Sequence, residues 1–304
     1  MPAPARADSG CEQPAREECA ARAKGVNRVR SAAMSQKPLD LSGIFELEPH
    51  GPDTFVGESP PYEWGRIYGG LVVAQALWAA THSVDLRYRV HSLHAYFILG
   101  GEIGEPVRYE VDRVRNGRSF TTRRVVARQS GGAILTLECS FQVEEPGPET
   151  QSAVFPSVPR PDALRPELDA GLDVRAVPPR KSPPGAIVWA RMPRPVGDDP
   201  RLQACALAYL TDVNAIGAIA ASYPGELPED GAWNQAFMSA SLDHAVWFHR
   251  PARADAWVLL DMTGHGLIGS RGLATGLVFS ADGTHVATLA QEGLLRERRS
   301  PPRR

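Results

Sequence analysis

The sequence predicts an α+β protein made of two fused repeats, in each of which an antiparallel sheet follows one long helix. Two apolar stretches typical of buried helices, at 69–84 and 201–222, are each followed by a series of short segments typical of strands. Landmarks in the two series recur at a nearly constant separation. Tyr96-Phe97 matches Trp247-Phe248 at 151 residues, and "QSGGAILTL" matches "SADGTHVATL" at 152. Internal repetition constrains a fold more strongly than local propensity does.

The first repeat is expected to span residues 38–145. Its helix opens on Gly69-Gly70 and continues with small and apolar residues on most sides, which is typical of a helix buried in a core. The last strand candidate alternates between apolar and polar residues from Ala133 to Val143, so one of its faces is expected to be buried. Four strand candidates follow the helix, separated by Gly- and Pro-containing turns: "HSLHAYFIL", "VRYEVDRVR", "RSFTTRRVVARQ" and "AILTLECSFQVEE".

Proline-dense residues 146–200 are predicted to be an inter-domain linker with little regular structure. The second repeat, 201–298, has strand candidates near 239–249, 256–262, 270–280 and 284–296. Residues 1–37 show no clear apolar period and are predicted to be a disordered N-terminal extension. A long helix followed by a strongly curved antiparallel sheet, present twice, is the arrangement of a double hotdog, in which each sheet wraps its own helix.

Composition excludes several classes of function. The 304 residues carry 33 Lys and Arg against 35 Asp and Glu, a formal net charge of −2, which gives no general attraction to nucleic acid or to a membrane surface. No apolar run approaches the roughly 20 residues of a membrane span, and no secretory segment is visible, so a cytoplasmic protein is expected. Because the sequence contains no metal-binding constellation, Walker sequence or dinucleotide glycine fingerprint, no metal or cofactor is predicted.

A carboxylate in the stretch "MSASLDHAVWFHRP" (238–251) is the first candidate for chemistry. Asp243 stands among the apolar residues of a predicted strand, where a carboxylate is costly unless it is hydrogen-bonded, paired or used. In the repeat register, Gln291 falls on the core-facing position that Cys139 occupies in the first half. The residues alone leave two interpretations open: a functional pair in one copy of the repeat, or a cross-strand network that satisfies backbone groups.

Six segments together resemble the type II acyl-CoA thioesterases, in order, from about Leu39 to Arg296. The resemblance implies two fused hotdogs that hydrolyse fatty acyl-CoA, with an Asp, a Gln and a Ser or Thr that orient the attacking water. It assigns the Asp role to Asp243 and the Gln role to Gln291. The segments are "GRIYGGLVVAQAL" (65–77), "HSLHAYFILGG" (91–101), "RNGRSFTTRRV" (115–125), "AYLTD" (208–212), "SLDHAVWFHRP" (241–251) and "AQEG" (290–293).

The hydroxyl of that set has no direct match in the sequence. Aligning the second half with the family on Trp257 and Arg271-Gly272 puts Gly264 or His265 where the hydroxyl is expected. The nearest residue with a hydroxyl is Thr263. Because a shift of one residue turns a strand side chain to the opposite face, Thr263 can substitute only if the chain bulges. His265 is the alternative, as a hydrogen-bond partner of the water or of Asp243.

The resemblance also implies contacts with the acyl-CoA substrate. Backbone N–H groups at Gly69-Gly70 could hold the oxyanion, although the same glycines also suit tight helix packing. Arg118 and Arg271 could meet the phosphates of CoA. A homodimer or higher homo-oligomer is expected, because the strands offer apolar residues on both faces. A non-catalytic acyl-CoA-binding or sensing protein that lost the hydroxyl is the alternative function.

Overall fold

The computed structural model describes residues 39–41, 43–178, 182–228 and 232–298. The predicted N-terminal extension, 1–37, lies outside these residues. In the first half, two short strands precede one helix and four long strands. These elements are β1 (Glu48–Pro49), β2 (Thr54–Gly57), α1 (Gly69–Thr81), β3 (Tyr88–Phe97), β4 (Val107–Asn116), β5 (Phe120–Gln129) and β6 (Gly132–Val143).

The second half repeats the succession of strand, helix and long strands, with short elements added. The long strands predicted from alternation are present in both halves, and the α+β class is confirmed. The elements are a 3-10 helix (Pro161–Ala163), β7 (Glu167–Asp169), β8 (Leu172–Ala176), β9 (Gly185–Arg191), α2 (Pro200–Thr211), α3 (Ala215–Ala220), α4 (Trp233–Ala236), β10 (Phe237–Ser241), β11 (Asp243–Phe248), β12 (Val258–Ile268), β13 (Arg271–Ser280) and β14 (His285–Glu297).

The prediction of an irregular linker at 146–200 is wrong in part, since β7, β8 and β9 lie within it. β9 is buried along almost its whole length and pairs with β12, so it belongs to the sheet of the second half. Its run "GAIVWAR" does not alternate because both of its faces are covered. The proline-rich chain before it packs Phe155 and Val158 against Ile187 and Trp189 of β9.

The strands form one antiparallel sheet in which the two halves have the same order. The first half runs β2-β4-β5-β6-β3 and the second runs β9-β12-β13-β14-β11, and the halves join where β3 pairs with β11. An irregularity recurs as well. One extra residue interrupts β3 between Val90 and Ser92, and one extra residue lies between Ser241 and Ala245 opposite β14. Val90 and Ser241 are 151 residues apart, which is the separation of the repeat.

The helices fill the interior of the curved sheet. α1 is buried on nearly every side and packs against α2, while α3 lies under β12, β13 and β14. The single helix predicted over 201–222 is interrupted between α2 and α3, where Asn214 adopts a φ of +60°. By length and composition Pro200–Ala220 could cross a membrane, but 83% of its apolar window is buried within the protein, which is typical of a core helix.

Candidate active site

The interruption between α2 and α3 presents a buried carboxylate. α2 has a strong start, because Asp199 Oδ1 accepts a hydrogen bond from the N–H of Arg201 at 2.9 Å and Pro200 occupies the first helical position. The helix ends at Thr211, and the next residue, Asp212, is only 3% exposed. A carboxylate this deeply buried is costly unless hydrogen-bond donors surround it.

Donors from both halves of the chain surround Asp212. Its Oδ2 accepts from the backbone N–H of Gly70 at 2.9 Å, and its Oδ1 accepts from Gln291 Nε2 at 2.9 Å. Ser241 Oγ lies 3.5 Å from the same Oδ1. Gly70 belongs to the first turn of α1, which has no side-chain cap of its own. Asp212 therefore takes the place of a cap, at the end of α1 where backbone N–H groups point outward.

The amide of Gln291 connects this carboxylate to a hydroxyl and an imidazole. Its Nε2 donates to Ser241 Oγ at 2.6 Å as well as to Asp212, and its Oε1 lies 2.6 Å from His244 Nδ1. The NH₂ of the Gln291 amide must point toward Asp212, because a carboxylate only accepts hydrogen bonds and the NH₂ is the donor end of the amide. Gln291, itself fully buried, thus holds a carboxylate and a hydroxyl side by side.

His244 fixes the amide from the other side. The ring is 1% exposed, and its Nε2 lies 2.9 Å from Thr211 Oγ1. Burial lowers the pKa of His244, and the charge of Asp212 and the hydrogen bond to Gln291 oppose that shift. Because Oε1 of the amide can only accept, the neutral ring carries its hydrogen on Nδ1 and accepts from Thr211 at Nε2.

The predicted pairing of Asp243 with Gln291 is wrong. Ala245 of β11 pairs with Ala290 of β14, and continuing this register puts His244 beside Gln291 and Asp243 beside Glu292. Because neighbouring residues of a strand point to opposite faces, Gln291 lies on the core face as predicted, whereas Asp243 lies on the outer face. There Asp243 Oδ1 accepts from the backbone N–H of Glu292 at 2.6 Å. This contact matches the second interpretation of Asp243, a carboxylate that satisfies a backbone group.

The two predicted substitutes for the hydroxyl also lie on the outer face. Thr263 pairs with Thr275, and His265 Nε2 lies 2.7 Å from Thr275 Oγ1. Gly264, between them, is the residue that faces the interior, where it packs against α3. The register shift in β12 comes only after Gly264, so no bulge turns Thr263 inward. Neither candidate therefore reaches the side of the sheet on which Gln291 lies.

The predicted glycine pair does lie at the site. The N–H of Gly70 is occupied by Asp212. Among the described residues, the N–H of Gly69, which is half-buried beside the carboxylate, donates no hydrogen bond. A Cβ on Gly69 would lie 2.9 Å from Asp212 Oδ2 and 3.0 Å from the ring of Phe97, so a side chain there would displace the carboxylate.

Neither of the two predicted arginines bonds to a residue of this network. Arg118 is exposed at the turn between β4 and β5, where its carbonyl accepts from Tyr88 Oη at 3.2 Å, at the opposite end of β3. Arg271 lies on the surface and forms an ion pair with Glu292 at 2.9 Å. Contact of either arginine with CoA stays a prediction.

Sequence reasoning misses Asp212 and Ser241. Both lie in segments that carry the resemblance, since Asp212 ends "AYLTD" and Ser241 opens "SLDHAVWFHRP". The available signal was the position of an acidic residue at the end of a helix whose last turns are mostly apolar. A charged residue where such a helix stops has to find donors from elsewhere in the fold.

Two family models match consecutive parts of the chain. One, described as the acyl-CoA thioesterase N-terminal domain, matches residues 59–142. The other, described as the acyl-CoA thioesterase C-terminal domain, matches residues 144–295. Together they include every residue of the network around Asp212.

Individual proteins of known sequence or structure are similar over most of the chain. Mouse acyl-coenzyme A thioesterase 8 is 33% identical over 293 residues, which cover 84% of this chain and 88% of the mouse protein. The crystal structure of acyl-CoA thioesterase II TesB2 from Mycobacterium marinum is 37% identical, with a TM-score of 0.74, and covers 85% of this chain and 98% of that one. A hot dog fold protein from Alicyclobacillus acidocaldarius, 19% identical, has a TM-score of 0.68 over 85% of this chain and 97% of its own. This last likeness concerns the fold alone.

Proposed function

Since this chain belongs to the acyl-CoA thioesterase family, we propose that it hydrolyses acyl-CoA to a free fatty acid and CoA at the site formed by Asp212, Ser241 and Gln291. One observation carries the assignment of residues: the amide of Gln291 holds a carboxylate and a hydroxyl side by side. Beside them a helix begins with a backbone N–H, that of Gly69, which has no acceptor among the described residues.

Asp212 acts as the general base. As a water oxygen attacks the thioester carbonyl carbon, the carboxylate takes one of its protons, a role that contributes roughly 10²- to 10⁴-fold to the rate. Ser241 accepts a hydrogen bond from Gln291 and so keeps its own hydrogen to donate. That hydrogen orients the water beside Asp212.

The tetrahedral intermediate carries its negative charge on the former carbonyl oxygen. The N–H of Gly69, at the start of α1, is the donor that stabilises this oxyanion. When the intermediate collapses, the carbon–sulfur bond breaks, the sulfur of CoA takes the proton held by Asp212, and the fatty acid is released. The carboxylate is thereby returned to its starting state.

The finer architecture follows from the same duplication. We infer that each half is a hotdog, fused as a double hotdog, because the halves share a strand order and an extra residue at matching positions.

The outer face of the joined strands β3 and β11 carries Tyr96 and Trp247, which are 65% and 36% exposed, with His94 between them. This patch is the contact through which copies of the chain associate. Sedimentation of Trp247→Glu as a smaller species than the wild type is the expected result.

Thiol release from a series of acyl-CoA esters of increasing chain length tests the proposed activity. The wild type should release CoA, and Asp212→Asn and Ser241→Ala should each bind the same esters but release CoA more slowly. Binding without release by the wild type at every chain length would instead identify a non-catalytic acyl-CoA-binding protein.

A further inference from the structure

The repeat register gives each residue of the site a counterpart in the first half. Val90 pairs with Phe141 just before the extra residue of β3, as Ser241 pairs with Gly293 in the second half. Leu93 pairs with Cys139 just after it. The counterparts of Ser241, His244 and Gln291 are therefore Val90, Leu93 and Cys139.

A cavity of about 820 Å³ lies where this counterpart site begins. Val90 and Phe141 line it, together with the first turns of α2 and the chain that follows β11. A volume of this size is in the range of small-molecule sites. The lining includes no residue of the network around Asp212, and Leu93 and Val246, a buried pair on β3 and β11, lie along these strands between the cavity and the network.

The helix start at this cavity differs from the one at the proposed active site. α1 leaves the N–H of Gly70 to the carboxylate of Asp212 from the other half of the chain. α2 is capped by its own Asp199, and its first turn needs no carboxylate from elsewhere. In the place of Gln291 the first half has Cys139. In the place of Asp212, directly after the helix, it has His82, whose Nδ1 lies 2.8 Å from the carbonyl of Trp78 and which does not line the cavity.

The lining of the cavity is apolar inside and charged at its mouth. Two of the arginines at the mouth are already paired with aspartates: Arg201 with Asp199, and Arg253 with Asp198. The apolar interior is formed mainly by Val90, Phe141, Ala204, Leu207 and Phe248.

Two other arginines at the mouth bond mainly to carbonyl oxygens. Arg89 donates to the carbonyls of Leu86 and Tyr88. Arg250 donates to those of His285 and Thr150, and the exposed Glu149 is 3.7 Å away. Carboxylates at the mouth are either paired or exposed: Asp85 accepts from the N–H of Arg87, Asp282 accepts from that of Thr284, and Glu144 and Glu145 face solvent. Arg89 has no carboxylate partner among the described residues, and Arg250 forms an ion pair only with the exposed Glu149, so an added anion can approach both.

We infer that this cavity is a second, non-hydrolytic site, which binds a single-chain amphiphile with an anionic head such as a long-chain fatty acid. The aliphatic chain lies against Val90, Ala204 and Leu207, and its carboxylate meets Arg89 and Arg250. The two imidazoles in the lining, His91 and His249, bond Ser140 and Thr288, and the lining has no carboxylate held by an amide as Asp212 is by Gln291. A ligand bound here is therefore held without being cleaved. The inference rests on the cavity and the repeat, and it stands whether or not Asp212 is the base.

Hexadecanoate binding to the full chain, measured by calorimetry, tests the site. Ala204→Trp fills the cavity from α2, and Leu202→Trp puts the same side chain on the same helix outside the cavity lining. Ala204→Trp should weaken one class of hexadecanoate site by at least about tenfold, whereas Leu202→Trp should bind as the wild type does. The melting temperatures of both variants show that they fold.

Two outcomes would overturn the inference. Equal binding by Ala204→Trp and the wild type would show that the cavity holds no fatty acid. A shift of Ala204→Trp toward hydrolysis of shorter acyl-CoA esters would make the cavity the far end of the substrate channel. The head group is tested by Arg250→Gln, which should weaken hexadecanoate but not hexadecanol, and equal loss of both would refute the carboxylate contact.

Discussion

Asp212→Asn should remove most of the turnover while the protein stays folded. The substitution keeps the shape of the side chain but removes the carboxylate that accepts the proton of water. The new asparagine would turn its oxygen toward the N–H of Gly70 and its NH₂ toward Gln291, because the backbone N–H cannot change its direction. Two NH₂ groups would then face each other unless the amide of Gln291 turns over.

The rest of the network allows that reversal. With Oε1 turned toward the new asparagine and Ser241, Gln291 would present its NH₂ to His244 Nδ1. The ring would move its hydrogen to Nε2 and donate to Thr211 Oγ1, and the hydrogen of that hydroxyl would turn to the carbonyl of Ala208, 2.8 Å away. Every buried group keeps a partner, so the free energy of unfolding should change by no more than about 1 kcal/mol. In a chain of this size that amounts to roughly 2–4 °C in melting temperature.

Thiol release measured at several acyl-CoA concentrations separates the effect of the substitution on kcat from its effect on KM. The kcat of Asp212→Asn should fall by roughly 10²- to 10⁴-fold, the contribution of a general base, which corresponds to about 3–5 kcal/mol of activation free energy. Asp243→Asn is the matched control, since the same change on the outer face leaves an oxygen to accept from the N–H of Glu292. Wild-type turnover by Asp212→Asn would refute the assignment, and so would an equal loss in Asp243→Asn.

Further substitutions test the groups around Asp212 and the outer face of the sheet. Gln291→Ala and Ser241→Ala should each lower kcat/KM by about tenfold or more, because each loosens the groups that orient the water; an unchanged value in both would leave the network structural. Gly69→Ala should lower kcat, since its Cβ would lie 2.9 Å from Asp212 Oδ2 and 3.0 Å from the ring of Phe97 and so displace the carboxylate; a wild-type kcat would refute this reasoning. His265→Ser, on the outer face, should leave thiol release within about twofold of the wild type, and a larger loss would return His265 to the site. Burial lowers the pKa of His244 below its unfolded value, so the unfolded state binds more protons and melting temperature should fall as pH drops below about 6.5, more steeply than in His244→Gln.

Much of the fold could be predicted because its elements obey simple periods. β6 alternates apolar and polar residues almost throughout, and the repeat register transfers its buried face to β14, which put Cys139 and Gln291 on the core face correctly. The two apolar helix stretches were equally clear. β9 was missed because a strand covered on both faces does not alternate, and the prolines before it indicated a linker. Their role in covering its outer face depends on contacts distant in sequence.

The site was only partly predictable because the alternation of side chains between the two faces of a strand is interrupted between Ser241 and Ala245. Ser241 and Asp243 are two positions apart, so uninterrupted alternation would put them on the same face. The extra residue between Ser241 and Ala245 reverses the face, and it turns Ser241 toward Gln291 while Asp243 points outward. An extra residue at the matching position interrupts β3 in the first half. Such a bulge is defined by the pairing of two strands, so it cannot be recognised from the sequence of either strand alone.

The network around Asp212 also shows why one chain carries one such site although its fold is duplicated. The carboxylate comes from the break after α2, the hydroxyl and amide come from β10 and β14, and the N–H that fixes Oδ2 comes from α1 in the other half. A buried polar group is tolerated only when its partners are all present, so removing any one of them destabilises the rest. In the first half all three counterparts are apolar or a buried thiol whose pKa is raised by burial, Val90, Leu93 and Cys139. Such a set packs without partners, and it leaves room for a ligand but no means to activate water.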